Sequence, residues 1–442
     1  MGQKNVITHH KDVKFSLNFG FLGLGMGGTS IAAACADIKT DASFPYKSIL
    51  INSNAIDLEK IHTENEDTIK MLIGDGKGAS RDINLGESIF KSHGNVIADQ
   101  VNVHFSDRDF IWIVAGLGGG TGTGSIIEAI RVLMTNNFQK KFGLILTLPR
   151  DSEGPTVLSN ALARLQMINN AMQGLGSIII VDNQKLFNRF VGTENNQSNA
   201  SIKEYLAFSN TYIADTLHDI NVVTASYSPF GENHFDSSEF EKLIKTPGVL
   251  HFVRYETNPQ AINFKKPIEH LNVLQKHIDN GVLSDGFNIA KTARFAVSIL
   301  ANSNQANNIF KVDFIKSIED RLNEIAPIAA EKPIAQYIYP QQETSSVFYY
   351  AAFAGLGLPN RVKELIDESN RLLEEKKKIE KPESDIFSGF VQAASTTPTQ
   401  ELAGADAFAM LFDSPETNAE TASSTPEVDK DFNDLFKRDP KK

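Results

Sequence analysis

The stretch Gly116-Leu117-Gly118-Gly119-Gly120-Thr121-Gly122-Thr123-Gly124-Ser125 decides how this chain is read. Six of the nine residues from 116 to 124 are glycine. Each gives up backbone freedom on folding and buries no side chain, so the run is not packing material. Before it stands Phe110-Ile111-Trp112-Ile113-Val114-Ala115, a continuous apolar run of the kind that fills a parallel strand covered on both faces. After it, Ser125–Leu133 places apolar residues at helical spacing. A buried strand, a turn made of backbone and a helix N-terminus together form a site for phosphate. Free N–H groups converge there, the helix dipole favours negative charge, and missing side chains allow close approach.

The bulk composition narrows the classes. A chain of 442 residues has room for two or three cores and a tail. Its 41% hydrophobic and 22% charged residues are ordinary for a globular protein. The net charge of −11 argues against direct nucleic-acid binding by the body, because phosphate contacts need Lys and Arg. The single cysteine, Cys35, excludes an internal disulfide framework and a Cys-rich zinc site. Met1–Lys14 is polar and no apolar run approaches the ~20 residues of a membrane span, so the expectation is a cytoplasmic protein with no membrane span.

Outward from the glycine run, strands and helices alternate. Phe15–Leu22 reads as a strand running into Gly23-Leu24-Gly25-Met26-Gly27-Gly28-Thr29 and a small-residue helix. Gly23-x-Gly25-x-x-Gly28 satisfies the dinucleotide fingerprint. The next strand, Ser48–Asn54, would then end in an acid to hold a ribose, but it ends in Asn52 and Asn54. An NAD-dependent oxidoreductase is therefore the alternative reading, and it leaves residues 116–125 unexplained. Gly74–Arg81 is either a solvated turn or a phosphate-side loop. A helix is expected near 86–99, then strands at 110–115, 142–147 and 177–181 with a helix over 158–172. Alternation of this kind predicts a doubly wound α/β fold with a parallel sheet, its loops gathered at the strands' carboxyl ends.

Ser201-Ile202-Lys203-Glu204 reads as a capping box opening a long helix, with Ile202, Tyr205, Leu206, Ile213, Leu217 and Ile220 on its apolar face. Strands near 249–255, 292–300, 334–340 and 346–353, with helices near 237–245, 266–279 and 311–325, read as a smaller α/β domain with its own mixed sheet. The expected organisation is an arm over 1–13, a nucleotide domain over 14–198, a central helix over 199–220, a second domain over 221–356, a C-terminal helix over 357–381 and a disordered tail over 382–442. That tail is rich in Ser, Thr, Pro, Ala and acids, interrupted by aromatic patches at 385–390, 406–412 and 431–436. The patches are partner-docking motifs or chance apolar residues.

Gly118-Gly119-Gly120-Thr121-Gly122-Thr123-Gly124 resembles the signature loop of the tubulin/FtsZ family of GTPases, GGGTG[ST]G. The remaining family loops then fall in order. Gly25, Met26, Gly27 and Gly28 resemble the first phosphate loop, Asn52 and Asn54 the second, and Gly74–Arg81 more loosely the third. Thr147, Pro149 and Glu153 match the segment whose acid holds the ribose. Asn183 and Asn210 fall where the family reads guanine with amides, which offer both donor and acceptor. Arg150 stands where the division proteins usually carry Phe. Pro155 and Val157 replace a basic stretch, and Leu206 takes the place of a stacking ring that Tyr205 or Phe208 would have to supply. These departures suit the TubZ branch, encoded on plasmids and phages, more than a cell-division FtsZ.

The resemblance implies GTP/GDP as ligand with Mg2+ as its expected counter-ion. It also implies hydrolysis completed by a neighbouring subunit in a head-to-tail filament. Gly231–Glu239 resembles the loop that supplies water-positioning acids, with one extra residue after Asn233 and with Glu239 in place of the last Asp, so Asp236 and Glu239 are the catalytic candidates. The other expected partner is a DNA-binding adaptor resembling TubR, through which plasmid or phage DNA would be segregated.

Overall fold

The computed structural model describes residues 8, 13–40, 43–192, 200–231, 234–340 and 344–379. The tail and its three aromatic patches, and all of the N-terminal arm except Thr8 and Val13, lie outside the described residues.

The first half runs β1 (Phe19–Leu24), α1 (Gly25–Ala36), β2 (Lys47–Asn52), α2 (Ala55–Glu59), β3 (Ile69–Leu72), α3 (Ile83–Ser92), α4 (Gly94–His104), β4 (Phe110–Gly116) and α5 (Thr121–Thr135). It continues with β5 (Phe142–Leu148), α6 (Pro155–Ala171), β6 (Ser177–Asp182), α7 (Asn183–Gly192) and the 25-residue α8 (Ile202–Ser226). The helix expected near 86–99 is two helices, α3 and α4, broken at His93-Gly94. Strand β3 and helix α7 were not anticipated.

The strands β3-β2-β1-β4-β5-β6 lie side by side in that order, all parallel. Both faces are covered, as the continuous apolar runs require. Phe19, Phe21, Phe110, Trp112 and Val114 join the core shared with α1 and α8. The alternate residues Leu22, Ile111, Ile113 and Leu144 are fully buried as well, and α5 packs with α3, α4 and α6. Strand order reverses between β1 and β4, and in an open α/β sheet that switch point is where a ligand crevice opens.

Helix α8 starts at the capping box of Ser201 and Glu204. Tyr205, Ile213, Leu217 and Ile220 are buried, whereas Ile202 and Leu206 are exposed, so the apolar face is narrower than its sequence suggested. At its far end Ser226 exchanges hydrogen bonds with the backbone of Lys14, and Asn221 brackets Leu17, just ahead of β1. At ~1.5 Å per residue the helix is about 37 Å long, enough to cross the whole sheet from carboxyl to amino end.

The second half adds β7 (Ser228–Pro229), α9 (Ser237–Ile244), β8 (Gly248–Thr257), α10 (Ile268–Asn280), β9 (Arg294–Asn302), α11 (Ala306–Ile309), α12 (Val312–Ile325), β10 (Ile334–Tyr339), β11 (Val347–Leu356) and α13 (Asn360–Ile379). Its strands form the expected mixed arrangement, β8-β11-β9-β10-β7. They do not form a separate sheet, because β8 pairs with β6 at Ser177–Gly248 and Ile178–Val249. Eleven described strands thus share one sheet.

Two histidines in this half are held neutral by burial. Nε2 of His251 donates to the Ile278 carbonyl over 2.7 Å, and Nε2 of His270 lies 2.9 Å from the Tyr349 hydroxyl. Desolvation pushes each imidazole down to about 4. An unfolded histidine takes up its proton near 6.5, so the stability contributed by these neutral rings is fully present above that pH and is lost as pH falls toward 4. Urea unfolding should lose up to about 1.4 kcal/mol per pH unit for each ring in that window. His270→Gln should shallow the slope, and an unchanged slope would remove His270 from the account.

Candidate functional site

The loops following β1 and β4 meet at the switch point. Gly25, at φ +64°, opens α1 and abuts the α5 start so closely that a Cβ on it would lie 2.5 Å from the Gly122 nitrogen. Gly118, at φ +112°, is pressed against Val157 of α6. Gly119 differs from both: a Cβ there would meet nothing within 4 Å. Met26, Gly27 and Gly119 are the exposed members of the two loops. Thr123 staples the turn from inside, its Oγ1 accepting from Gly118 N at 2.7 Å and donating to the Gly116 carbonyl at 3.2 Å. Helices α1 and α5 both begin without a side-chain cap and without an acid in the first turn. Their first N–H groups therefore have no partner from a capping side chain, which is what an anion requires.

The other expected loops close round this centre. The hydroxyls of Ser53 and Thr121 are hydrogen bonded at 2.6 Å. Asn52 is buried with its Nδ2 lacking any hydrogen-bond partner, an orphan donor that costs stability unless a ligand or water meets it. Asn54 caps α2 by accepting from Asp57 N. Gly74–Arg81 folds onto this segment, with Gly78 N donating to the Ser53 carbonyl and Ala55 N to that of Gly76. It is not an isolated solvated turn, because Ala79 and Arg81 pack against Gly120. Ser80 and Arg81 hold positive φ, 47° and 65°, a conformation that is uncommon for residues with side chains. Asn160 of α6, absent from the sequence reading, ties the two loops together by donating to the carbonyls of Arg81 at 2.8 Å and Gly118 at 3.2 Å.

The segments expected to meet the nucleoside come from β5, β6 and the helices after them. The Thr147 carbonyl accepts from Leu117 N, and Pro149 follows it into a loop where Glu153 Oε1 accepts from Arg150 N at 3.1 Å. Asn183 opens α7 directly after β6, its carbonyl accepting from the Tyr205 hydroxyl at 2.9 Å. Asn210 is half-buried further along α8. Of the two rings expected to replace Leu206, Tyr205 is buried and Phe208 is half-buried. Tyr205 is buried against Phe187 and Phe190, and Phe208 packs on Phe190 and Tyr212. The Arg150 guanidinium sits over Phe187 and Tyr205 at 5.0 and 5.5 Å, within the range of cation–π attraction.

Asp236 and Glu239 are not part of this cluster. They form a capping box at the start of α9: Asp236 Oδ1 accepts from Glu239 N at 2.8 Å, and Glu239 Oε2 accepts from Asp236 N at 3.2 Å. The bond from Glu239 N, with one from the Ser238 hydroxyl, holds the Asp236 carboxyl below the usual range. The Asp-x-x-Glu spacing carries this signal itself, and the sequence reading missed it. The preceding residue, Phe235, is pinned to the core through both backbone groups by the Tyr337 hydroxyl. Phe240 of the same helix packs 6.4 Å from Phe19, the first residue of β1. The acids therefore belong to the amino end of a strand whose carboxyl end carries the glycine loop, roughly 20 Å away at ~3.3 Å per residue.

Comparison with known proteins places this arrangement. Residues 18–190 match the GTPase domain of the tubulin/FtsZ family, and residues 233–360 match the C-terminal domain of the tubulin-like protein TubZ. The chain is 40% identical over 380 residues to a tubulin-like protein TubZ of Bacillus cereus, covering 84% of this chain and 86% of that one. The chain belongs to the TubZ group of tubulin/FtsZ GTPases. The fold agrees with that of Bacillus thuringiensis serovar israelensis TubZ solved as a GTPγS-form protofilament, with a TM-score of 0.70 at 22% identity over 83% of this chain and 94% of that one. A type III plasmid segregation TubZ superposes with a TM-score of 0.68 at 22% identity, over 83% and 95% of the two chains. Membership of this GTPase group removes the oxidoreductase reading of Gly23-x-Gly25-x-x-Gly28. Among the described residues no helix is long and apolar enough to cross a membrane.

The glycines make separable predictions. Gly118→Ala should destabilise the fold by more than about 1 kcal/mol, because its φ and Val157 both exclude a side chain. Gly119→Ala should leave the melting temperature nearly unchanged while weakening GTP binding about tenfold or more, read by calorimetry. Wild-type affinity in Gly119→Ala would show that the open side of the loop does not face phosphate.

Proposed function

We propose that this chain is a GTP-dependent filament protein whose hydrolytic site is divided between two copies. The supporting observation is the separation of its two parts. Helix α8 starts beside Asn183 and ends beside the amino end of β1, and the acid pair follows at that far end. Asp236 and Glu239 cannot reach their own glycine loops across roughly 20 Å of sheet, but a second copy stacked carboxyl end to amino end would bring them there. A contact between unlike surfaces repeats without closing, and so builds a filament.

In this reading Gly25–Gly28, Asn52, Asn54 and Gly118–Gly124 hold the phosphates of GTP or GDP through backbone N–H groups and helix dipoles. The segment Thr147, Pro149 and Glu153 holds the ribose, and Asn183 and Asn210 read the guanine edge. Among the described residues no three His, Cys, Asp or Glu side chains gather as a metal site. Mg2+ keeps most of its ligands as water and phosphate oxygens, so the ion would be carried on the nucleotide, where it offsets phosphate charge. The incoming carboxylates would orient water in line with the terminal phosphate. The chain as a whole is acidic, at net charge −11, which suits indirect engagement of plasmid or phage DNA through a basic, TubR-like adaptor rather than direct binding.

Because Asp236 and Glu239 also cap α9, alanine variants would mix a folding cost of ~1 kcal/mol with any catalytic loss. Asp236→Asn and Glu239→Gln keep the capping geometry. Both should pellet with GTP as the wild type does while hydrolysing it at least tenfold more slowly. Wild-type GTPase per subunit should rise steeply with protein concentration. A rate independent of concentration would overturn the divided site.

A further inference from the structure

We propose that Arg361, in the first turn of α13, is a positioning residue of the nucleotide pocket. It fastens the Pro149–Glu153 loop and the β6–α7 junction to the C-terminal helix. This rests on the reading of Glu153 and Asn183 as nucleoside contacts. The Arg361 side chain is largely buried and forked between two segments that sequence distance does not relate to it. It pairs with the Asp151 carboxylate, donates to the Pro149 carbonyl at 3.4 Å and places its Nε 3.7 Å from Asp182 Oδ1. Its remaining partner, Glu364 at 3.3 Å, lies on its own helix.

The two segments are cross-linked as well. Asp182 Oδ1 accepts from Gln184 N at 2.8 Å, and the Gln184 side chain accepts from Asp151 N at 3.2 Å. Asp182 is the last residue of β6 and precedes Asn183, while Asp151 stands two residues before Glu153. Burial raises the Asp182 carboxyl, and the Arg361 charge opposes that rise. The guanidinium is thus the cation that both segments share, and without it Asp182 keeps a desolvated carboxylate and Asp151 loses its anchor. Helix α13 has independent holds on the body through buried Val362 and Leu365 and through Asn360 N, which donates to the Gly286 carbonyl at 3.1 Å. Removing the guanidinium should therefore loosen the two segments without detaching the helix. By linkage, a partner that shifts α13 would change nucleotide retention, and nucleotide would change affinity for that partner by the same factor.

The test is release of a fluorescent GDP analogue from the full chain, chased with excess GDP. Arg361→Ala and Arg361→Gln should release it about tenfold faster, measured at a temperature where circular dichroism shows both variants folded. Asp151→Asn should add little to Arg361→Ala, because both act through one contact; a loss of stability alone would leave the folded fraction releasing the analogue at the wild-type rate. Wild-type release in both Arg361 variants, or full additivity, would overturn the proposal. Glu153→Gln and Asn183→Ala separate its failure from that of the pocket. If they accelerate release while the Arg361 variants do not, only the role of Arg361 fails. If none of the four changes release, the pocket assignment falls with it.

Discussion

The structure depends on the contact of two backbone turns at one point of the sheet. The loop after β1 and the loop after β4 approach until a Cβ on Gly25 would lie 2.5 Å from the Gly122 nitrogen. Only parallel neighbours with a reversal of strand order between them bring two helix N-termini together in this way. The dipoles of α1 and α5 then point at the same space, and neither is quenched by a capping side chain or a first-turn acid. That is an unfavourable juxtaposition for an empty protein and a favourable one for a polyanion.

The remaining elements follow from holding that centre in place. Asn160 and Thr123 spend side-chain hydrogen bonds on loop carbonyls and amides, and the strained Ser80-Arg81 turn is packed against Gly120. Arg361 gives the same kind of support to the Pro149–Glu153 loop and the end of β6. Helix α8 does the opposite work. It leaves the pocket at Tyr205 and, after its 25 residues, delivers the chain to the amino end of β1. The distance that keeps the acid pair away from its own glycine loops is thus built into the length of one helix.

Much of this was legible in the sequence because its signals are local. The apolar runs at 110–115, 142–147 and 177–181 became β4, β5 and β6, since a strand covered on both faces has no choice but to be apolar throughout. The Ser201–Glu204 capping box opened α8 where expected. Other features were hidden for physical reasons. Strand β3 is short and half-exposed, so it has no strong pattern. Asp236 and Glu239 carry two readings in one spacing, a helix cap and a catalytic pair. Tyr205 looked available to a base, but its ring is buried against Phe187 and Phe190. The junction of the two halves into one sheet rests on two residue pairs of β6 and β8, too few to leave a mark on composition.

By itself, the sequence determined the glycine-loop centre, the alternation of strands and helices around it and the family, because glycine-only turns and continuous apolar strands have few physical uses. Tertiary structure alone decided which residues support that centre and which are kept from it. Asn160, Arg361 and Tyr337 act through partners 42 to 212 positions away, a distance over which no local pattern records an interaction. The separation of Asp236 from the glycine loops is likewise a consequence of where α8 ends against β1, and that is settled by packing.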